Sequence, residues 1–185
     1  MQSDAADDRQ FSRASKLRDG TPVTIRVMRA DDRDRITRAF SKLDADSIYT
    51  RFFGFRKEIP ASALDRIAAI DFVKLAGLVA TIGAGDQETV IGSASYVGAT
   101  APDGAKTAEV AFTIEEDYQR QGLAGQLMLA LTDLARRHGI ARFEADVLAG
   151  NAPMLSVFQR CGLPMRKRSE GGVVHVVMDL ATQAH

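Results

Sequence analysis

The chain has 185 residues, with 24 Lys and Arg against 24 Asp and Glu, a net charge of zero and 45% hydrophobic residues. That balance suits one globular domain with a sizeable core and argues against a nucleic-acid partner gripped mainly through its phosphates. The lone cysteine, Cys161, cannot make an internal disulfide or a thiolate-rich metal site, so the fold has to rest on packing and no metal is expected.

The opening residues are acidic and polar where a secretory leader carries basic and then apolar residues. The longest apolar candidate, residues 68–84, is interrupted by Asp71 and Lys74, so no membrane partner is expected and the cytoplasm is the expected location. Residues 1–18 show neither helical nor strand periodicity and predict a disordered polar tail, with the folded domain over residues 19–181.

After a turn at Arg18-Asp19-Gly20, Val23, Ile25 and Val27 alternate with Thr24, Arg26 and Met28, which predicts a half-buried strand. Asp31 and Asp32 offer N-caps to a helix carrying Ile36, Phe40 and Leu43. A second short helix is expected to hold Ile48, Phe52 and Phe53, and Pro60 opens a third through Leu64, Ile67 and Ile70. Residues 78–82 and 90–96 read as antiparallel strands joined by a turn at Gly85-Asp86.

In the next strand, residues 107–114, Val110, Phe112 and Ile114 share one face and Glu109, Ala111 and Thr113 the other. The leucines at 123, 127, 131 and 134 then recur at helical spacing over residues 121–138, and Gly139 supplies the stop. A strand over residues 143–148, a helix over 154–161 ended by Gly162, and strands near Met165 and over 173–180 complete the chain. The order predicts an α+β domain, its sheet mixed but mostly antiparallel, with one helical crossover between adjacent parallel strands.

The most informative segment lies between the strand ending at Ile114 and the long helix. Gly122, Ala124 and Gly125 let a ligand approach the backbone, and the first free amides of the helix, aided by its dipole, suit a pyrophosphate. Arg120 adds a charge-assisted contact in that reading. The alternative is a strand-to-helix turn whose glycines serve only tight packing.

Gln119-Arg120-Gln121-Gly122-Leu123-Ala124 fits the [QR]-x-x-G-x-[GA] signature, and the sequence over about residues 20–180 resembles the GNAT family of N-acetyltransferases. Asn151-Ala152-Pro153-Met154 and the run Phe158-Gln159-Arg160-Cys161-Gly162-Leu163 resemble that family's second cofactor region. Residues 108–114, the Tyr118-Gln119 pair, residues 148–151 with Met154, and residues 17–20 and 47–53 look like the catalytic domain of bacterial Pat-type protein lysine acetyltransferases.

The resemblance implies a GNAT fold: a six- to seven-stranded sheet flanked by helices, with two central strands splayed around the pantetheine arm of acetyl-CoA. Backbone groups of Phe112, Thr113 and Ile114 then bond the pantetheine. The loop comprising Gln119, Arg120, Gln121, Gly122, Leu123, Ala124 and Gly125 holds the pyrophosphate, and Asn151 and Arg160 meet the cofactor from the other side. Glu109 matches the family's general base, and many members carry a tyrosine acid where this sequence has Phe158. The implied reaction is direct acetyl transfer to a primary amine, a protein lysine first and a small amine second. A silent acyl-CoA sensor is the rival, and a homodimer is compatible with any of these.

An alkylammonium must lose a proton before it can attack, which gives Glu109 its expected role, in an apolar setting from Ala111 that favours a raised pKa. Tyr96 and Tyr118 are read as packing residues, His175 as a surface or hydrogen-bonded histidine, and Cys161 as a buried helix residue.

Overall fold

A computed structural model describes residues 8–42 and 61–181. Its sheet has eight strands: β1 (Ser12–Lys16), β2 (Pro22–Val27), β3 (Leu75–Ile82), β4 (Thr89–Thr100), β5 (Lys106–Ile114), β6 (Arg142–Leu148), β7 (Met165–Glu170) and β8 (Val173–Asp179). They lie in the order β1-β2-β3-β4-β5-β6-β8-β7. Every neighbouring pair is antiparallel except β5 and β6, which are parallel and joined by helix α3 (Leu123–Arg137). Helices α1 (Arg33–Ser41) and α2 (Ala61–Asp65) precede β3, and α4 (Ala152–Arg160) follows β6. This is the α+β fold expected from the element order, with one strand more. Among the described residues no helix is long and apolar enough to cross a membrane.

The additional strand corrects the expected tail. Ser12–Lys16 has no apolar alternation, yet its backbone pairs with β2 from Ser12↔Arg26 to Lys16↔Pro22. An edge strand gains its hydrogen bonds from its neighbour whatever its side chains, and polarity on its free side discourages further pairing. Leu17, at its end, is 4% exposed and belongs to the core. The expected helix around Ile48, Phe52 and Phe53 lies outside the described residues, as does Leu43. The segment after Pro60 divides into α2 and a 3-10 turn, Arg66–Ala69.

The two faces of the central strands have different covers. Even-numbered residues of β4, such as Ala94 and Tyr96, join Leu127, Met128 and Leu131 of α3 in the main core. The odd-numbered face, with Ser93, Ser95 and Val97, looks towards Ile36 and Phe40 of α1 across a cavity. The Tyr96 hydroxyl donates to the Phe72 carbonyl, and burial pushes its pKa well above the usual tyrosine range. It is therefore a dry core group rather than a proton donor.

Asp32 departs from its expected capping role. It makes no side-chain bond to the amino end of α1. Its carboxylate instead takes two 2.7 Å bonds from the Arg26 guanidinium and one of 2.7 Å from the Arg29 N–H. Glu88 approaches Arg26 at 2.9 Å, so the network ties β2, α1 and the β3–β4 connection together. Burial raises the Asp32 pKa, but the Arg26 and Arg29 bonds outweigh it and hold the carboxyl below its usual value.

Asp32→Asn should cost about 3–5 kcal/mol at neutral pH, because it leaves the Arg26 cation buried without its main counter-ion. The carboxylate's contribution is complete above the unfolded pKa of about 3.9 and is lost as pH falls through the lower folded value. Denaturant melts of both proteins should therefore converge in acid; a difference that stayed constant through that window would contradict the assignment.

Candidate active site

The parallel pair β5 and β6 is bonded only at Thr107↔Arg142, Ala108↔Phe143 and Glu109↔Glu144. Beyond those positions β5 continues to Ile114 along β4, and β6 continues to Leu148 along β8. The two strands part at Glu109 and each follows its other neighbour. Five residues of β5 past that point give the opening an edge of about 16 Å. Phe112 finds its aromatic neighbour on α4, where Phe158 packs edge-on at 5.9 Å between centroids, rather than on β6.

Strand alternation decides which backbone groups face the opening. The Lys106 carbonyl accepts from the Ala141 N–H on the β6 side, whereas the Glu115 N–H donates to the Ile91 carbonyl on the β4 side. In an antiparallel ladder both backbone groups of one residue point the same way, so even-numbered residues of β5 face β6. Phe112 and Ile114 therefore present their N–H and C=O to the opening. Thr113 does not, because its backbone belongs to the ladder with Ser93. The Ile114 carbonyl accepts from Gln119 Nε2 at 3.2 Å, which fixes the start of the loop.

The loop ends in an uncapped helix. Gly122 has φ of 84° and supplies no side-chain cap to α3. The first bond into the helix runs from the Gln126 N–H to the Gly122 carbonyl at 3.2 Å, which leaves the amides of Leu123, Ala124 and Gly125 without a helical acceptor. Arg120 adopts a left-handed φ of 60°, an uncommon conformation outside glycine. The β1–β2 turn braces this arrangement: Arg18 donates from its N–H to the Gln121 carbonyl and from its guanidinium to the Arg120 carbonyl, and the Asp19 N–H donates to Gln121 Oε1.

Arg18 thus stands beside the helix end as a second cation, with its Nε 3.7 Å from where a Cβ on Gly122 would lie. Sequence reasoning placed it at the boundary of a tail and missed it; the Arg-Asp-Gly turn was its only signal.

Glu109 occupies the fork itself, opposite Val97 on β4 and Glu144 on β6. It is exposed, as Val97 is at 42%, so the apolar enclosure expected from Ala111 is not present around it. Asn151 uses its Oδ1 to accept the Met154 N–H at 3.2 Å and so caps α4 at the mouth of the opening. Arg160 does not join it: nine residues along α4 carry it about 13 Å away, and its Nε donates to the Ser156 carbonyl. Cys161 Sγ bonds the Phe158 carbonyl, and the exposed His175 is paired with Asp146 at 2.6 Å.

A second missed residue is Glu115. It follows β5 at the start of an acidic run, is 8% exposed and lines a cavity of about 200 Å³ between α1 and the odd face of β4. Burial pushes its pKa up; Lys42 opposes this, and Asp117 and Glu116 add to it. The cavity runs from Thr113 and Glu115 to Val97, the cross-strand partner of Glu109; Glu109 itself does not line it and lies about 20 Å back along the strand from Glu115.

The profile of the acetyltransferase (GNAT) family matches residues 43–163. The acetyltransferase PA5475 of Pseudomonas aeruginosa is 33% identical over 138 residues, 75% of this chain and 73% of its own. The acetyltransferase Pat of Mycolicibacterium smegmatis is 32% identical over 165 residues, covering 89% of this chain, which spans only 48% of that relative. The crystal structure of the GNAT domain of S. lividans PAT superimposes with a TM-score of 0.80 at 33% identity, over 91% of this chain and 96% of that one. The parted strands, the bare amides and these matches agree: the chain belongs to the GNAT family of acetyltransferases, enzymes that use acetyl-CoA as acyl donor.

Proposed function

We propose that the chain transfers the acetyl group of acetyl-CoA to a primary amine, with a protein lysine side chain as the principal acceptor and Glu109 as general base. The observation that carries this reading is the fork at Glu109↔Glu144, which opens a slot beside a carboxylate. The slot and the uncapped start of α3 fit an extended donor ending in a pyrophosphate: Phe112 and Ile114 offer backbone groups along it, Leu123, Ala124 and Gly125 offer amides at its end, and Arg18 and Arg120 add charge. Asn151 stands across the slot from them.

Acetyl-CoA supplies an activated thioester and a leaving thiolate whose pKa, near ~8.5 by analogy with a free thiol, removes the need for an obligatory acid. That accommodates Phe158, which is buried and carries no proton to give. Glu109 takes the proton that the acceptor ammonium must lose, directly or through a water, as the new C–N bond forms and the C–S bond breaks. Exposure of Glu109 and Asp146 on one sheet face supports a macromolecular acceptor. A small amine is the second reading, supported by the cavity beneath α1.

Glu109→Gln should leave acetyl-CoA affinity nearly unchanged and lower turnover about 100-fold or more; unaltered turnover would remove Glu109 from the mechanism. Gly125→Val tests the donor site more cleanly than a change at Gly122, whose positive φ any side chain would strain. A Cβ at Gly125 meets nothing within 4 Å, so the helix should tolerate valine to within about 1 kcal/mol while calorimetry shows the acetyl-CoA Kd rising about tenfold or more. Unchanged affinity would count against the loop. Labelled acetyl-CoA supplied with cell lysate or with an amine panel should mark protein lysines; label appearing only in small amines would select the second reading.

A further inference from the structure

The proposed reaction leaves one group of the site unused. Glu115 has a side chain 10% exposed, and its Oε2 is buried with no hydrogen-bond partner among the described residues. A buried acceptor with nothing bound to it costs free energy unless a partner arrives from outside. Its Oε1 is 3.9 Å from Nζ of Lys42, beyond hydrogen-bond length, and that lysine is more than half exposed, so the pair is weak and displaceable.

The walls around this carboxylate are mostly carbon: Met28, Ile36, Phe40, Ile67, Leu75 and Val97 line the same cavity. Glu115 is the one carboxylate among its described lining residues, and Arg66, the other charged one, is exposed. A site with apolar sides and one anionic end complements a cation carried on an aliphatic stem. It disfavours both an anion and a neutral alcohol, since neither satisfies a buried carboxylate as an ammonium does. Lys42, which ends α1 and reaches towards Glu115 on its own four-carbon stem, is the chain's own example of that approach.

We propose that this cavity binds an acceptor carrying a second alkylammonium on an unbranched apolar stem, and that Glu115 is the specificity-determining carboxylate that receives this non-reacting cation. The assignment rests on the amine-acetylation reading but is tested without it. Glu115 anchors the acceptor by that second cation, while the reacting amine lies towards Val97, the cavity residue paired with Glu109, where the proton transfer takes place.

The experiment compares hexylammonium with 1-hexanol, equal in chain length and different in charge, by calorimetry on the full chain. The wild type should bind hexylammonium roughly tenfold or more tightly than the alcohol. Glu115→Gln should erase that preference while acetyl-CoA affinity and Tm stay as in the wild type. Equal binding of the two probes by the wild type, no binding of hexylammonium at millimolar concentration, or a preference retained by Glu115→Gln would each overturn the proposal. The wild-type comparison decides the matter even if the variant does not fold. Charge preference without acetyl transfer to any amine would instead overturn the reaction and leave the site standing.

Discussion

The structure depends on a ladder that stops. Three registered pairs join β5 to β6, and then each strand keeps to its outer neighbour, β5 to β4 and β6 to β8. A parallel sheet interrupted in its middle sacrifices hydrogen bonds, a loss tolerable only where a ligand or solvent can take their place. The two half-sheets are held by cores that do not need the missing pairs. Leu127, Met128, Leu131 and Leu134 of α3 lie against β4 on one side of the fork, and Phe158 of α4 meets Phe112 across it. Closing the slot would require moving helices that are already packed.

The fork organises everything around it. Because β5 leads directly into the loop before α3, the exposed strand edge and the bare helix amides form one continuous polar track. The track is held by the β1–β2 turn through Arg18 and Asp19. The polar edge strand β1 is therefore part of the scaffold of the site. On the opposite face, the buried Arg26–Asp32–Glu88 network seats the start of α1 against β2, and α1 in turn roofs the cavity that Glu115 enters.

Local features were legible in the sequence; features set by neighbours were not. The strand over residues 107–114, the long helix and its glycine turn all carry their signal within a dozen residues, through alternation, leucine spacing and a left-handed glycine. β1 has no such signal, since Ser-Arg-Ala-Ser-Lys becomes a strand only because β2 offers it an edge. Asp32 has the residue type and position of a cap, but a guanidinium six residues back on β2 holds it more strongly than helix amides do. Glu115 carries no signal of its own beside Glu116 and Asp117, because its burial comes from α1, far away in the chain. The family resemblance implied Thr113 as a backbone contact and Arg160 as a cofactor contact alongside Asn151. Ladder parity turns the first towards β4, and helix length carries the second away.

Two carboxylates on one strand face thus have separate settings, Glu109 open at the fork and Glu115 enclosed beneath α1. The central claim beneath both is that the slot between β5 and β6 is the seat of the donor. Residue-resolved amide hydrogen exchange with and without acetyl-CoA tests it most directly. The account predicts that the Phe112 and Ile114 amides, which face the slot, become strongly protected on addition of acetyl-CoA, while those of Ala111 and Thr113, already bonded to β4, change little. Protection of all four alike, or of none, would contradict it.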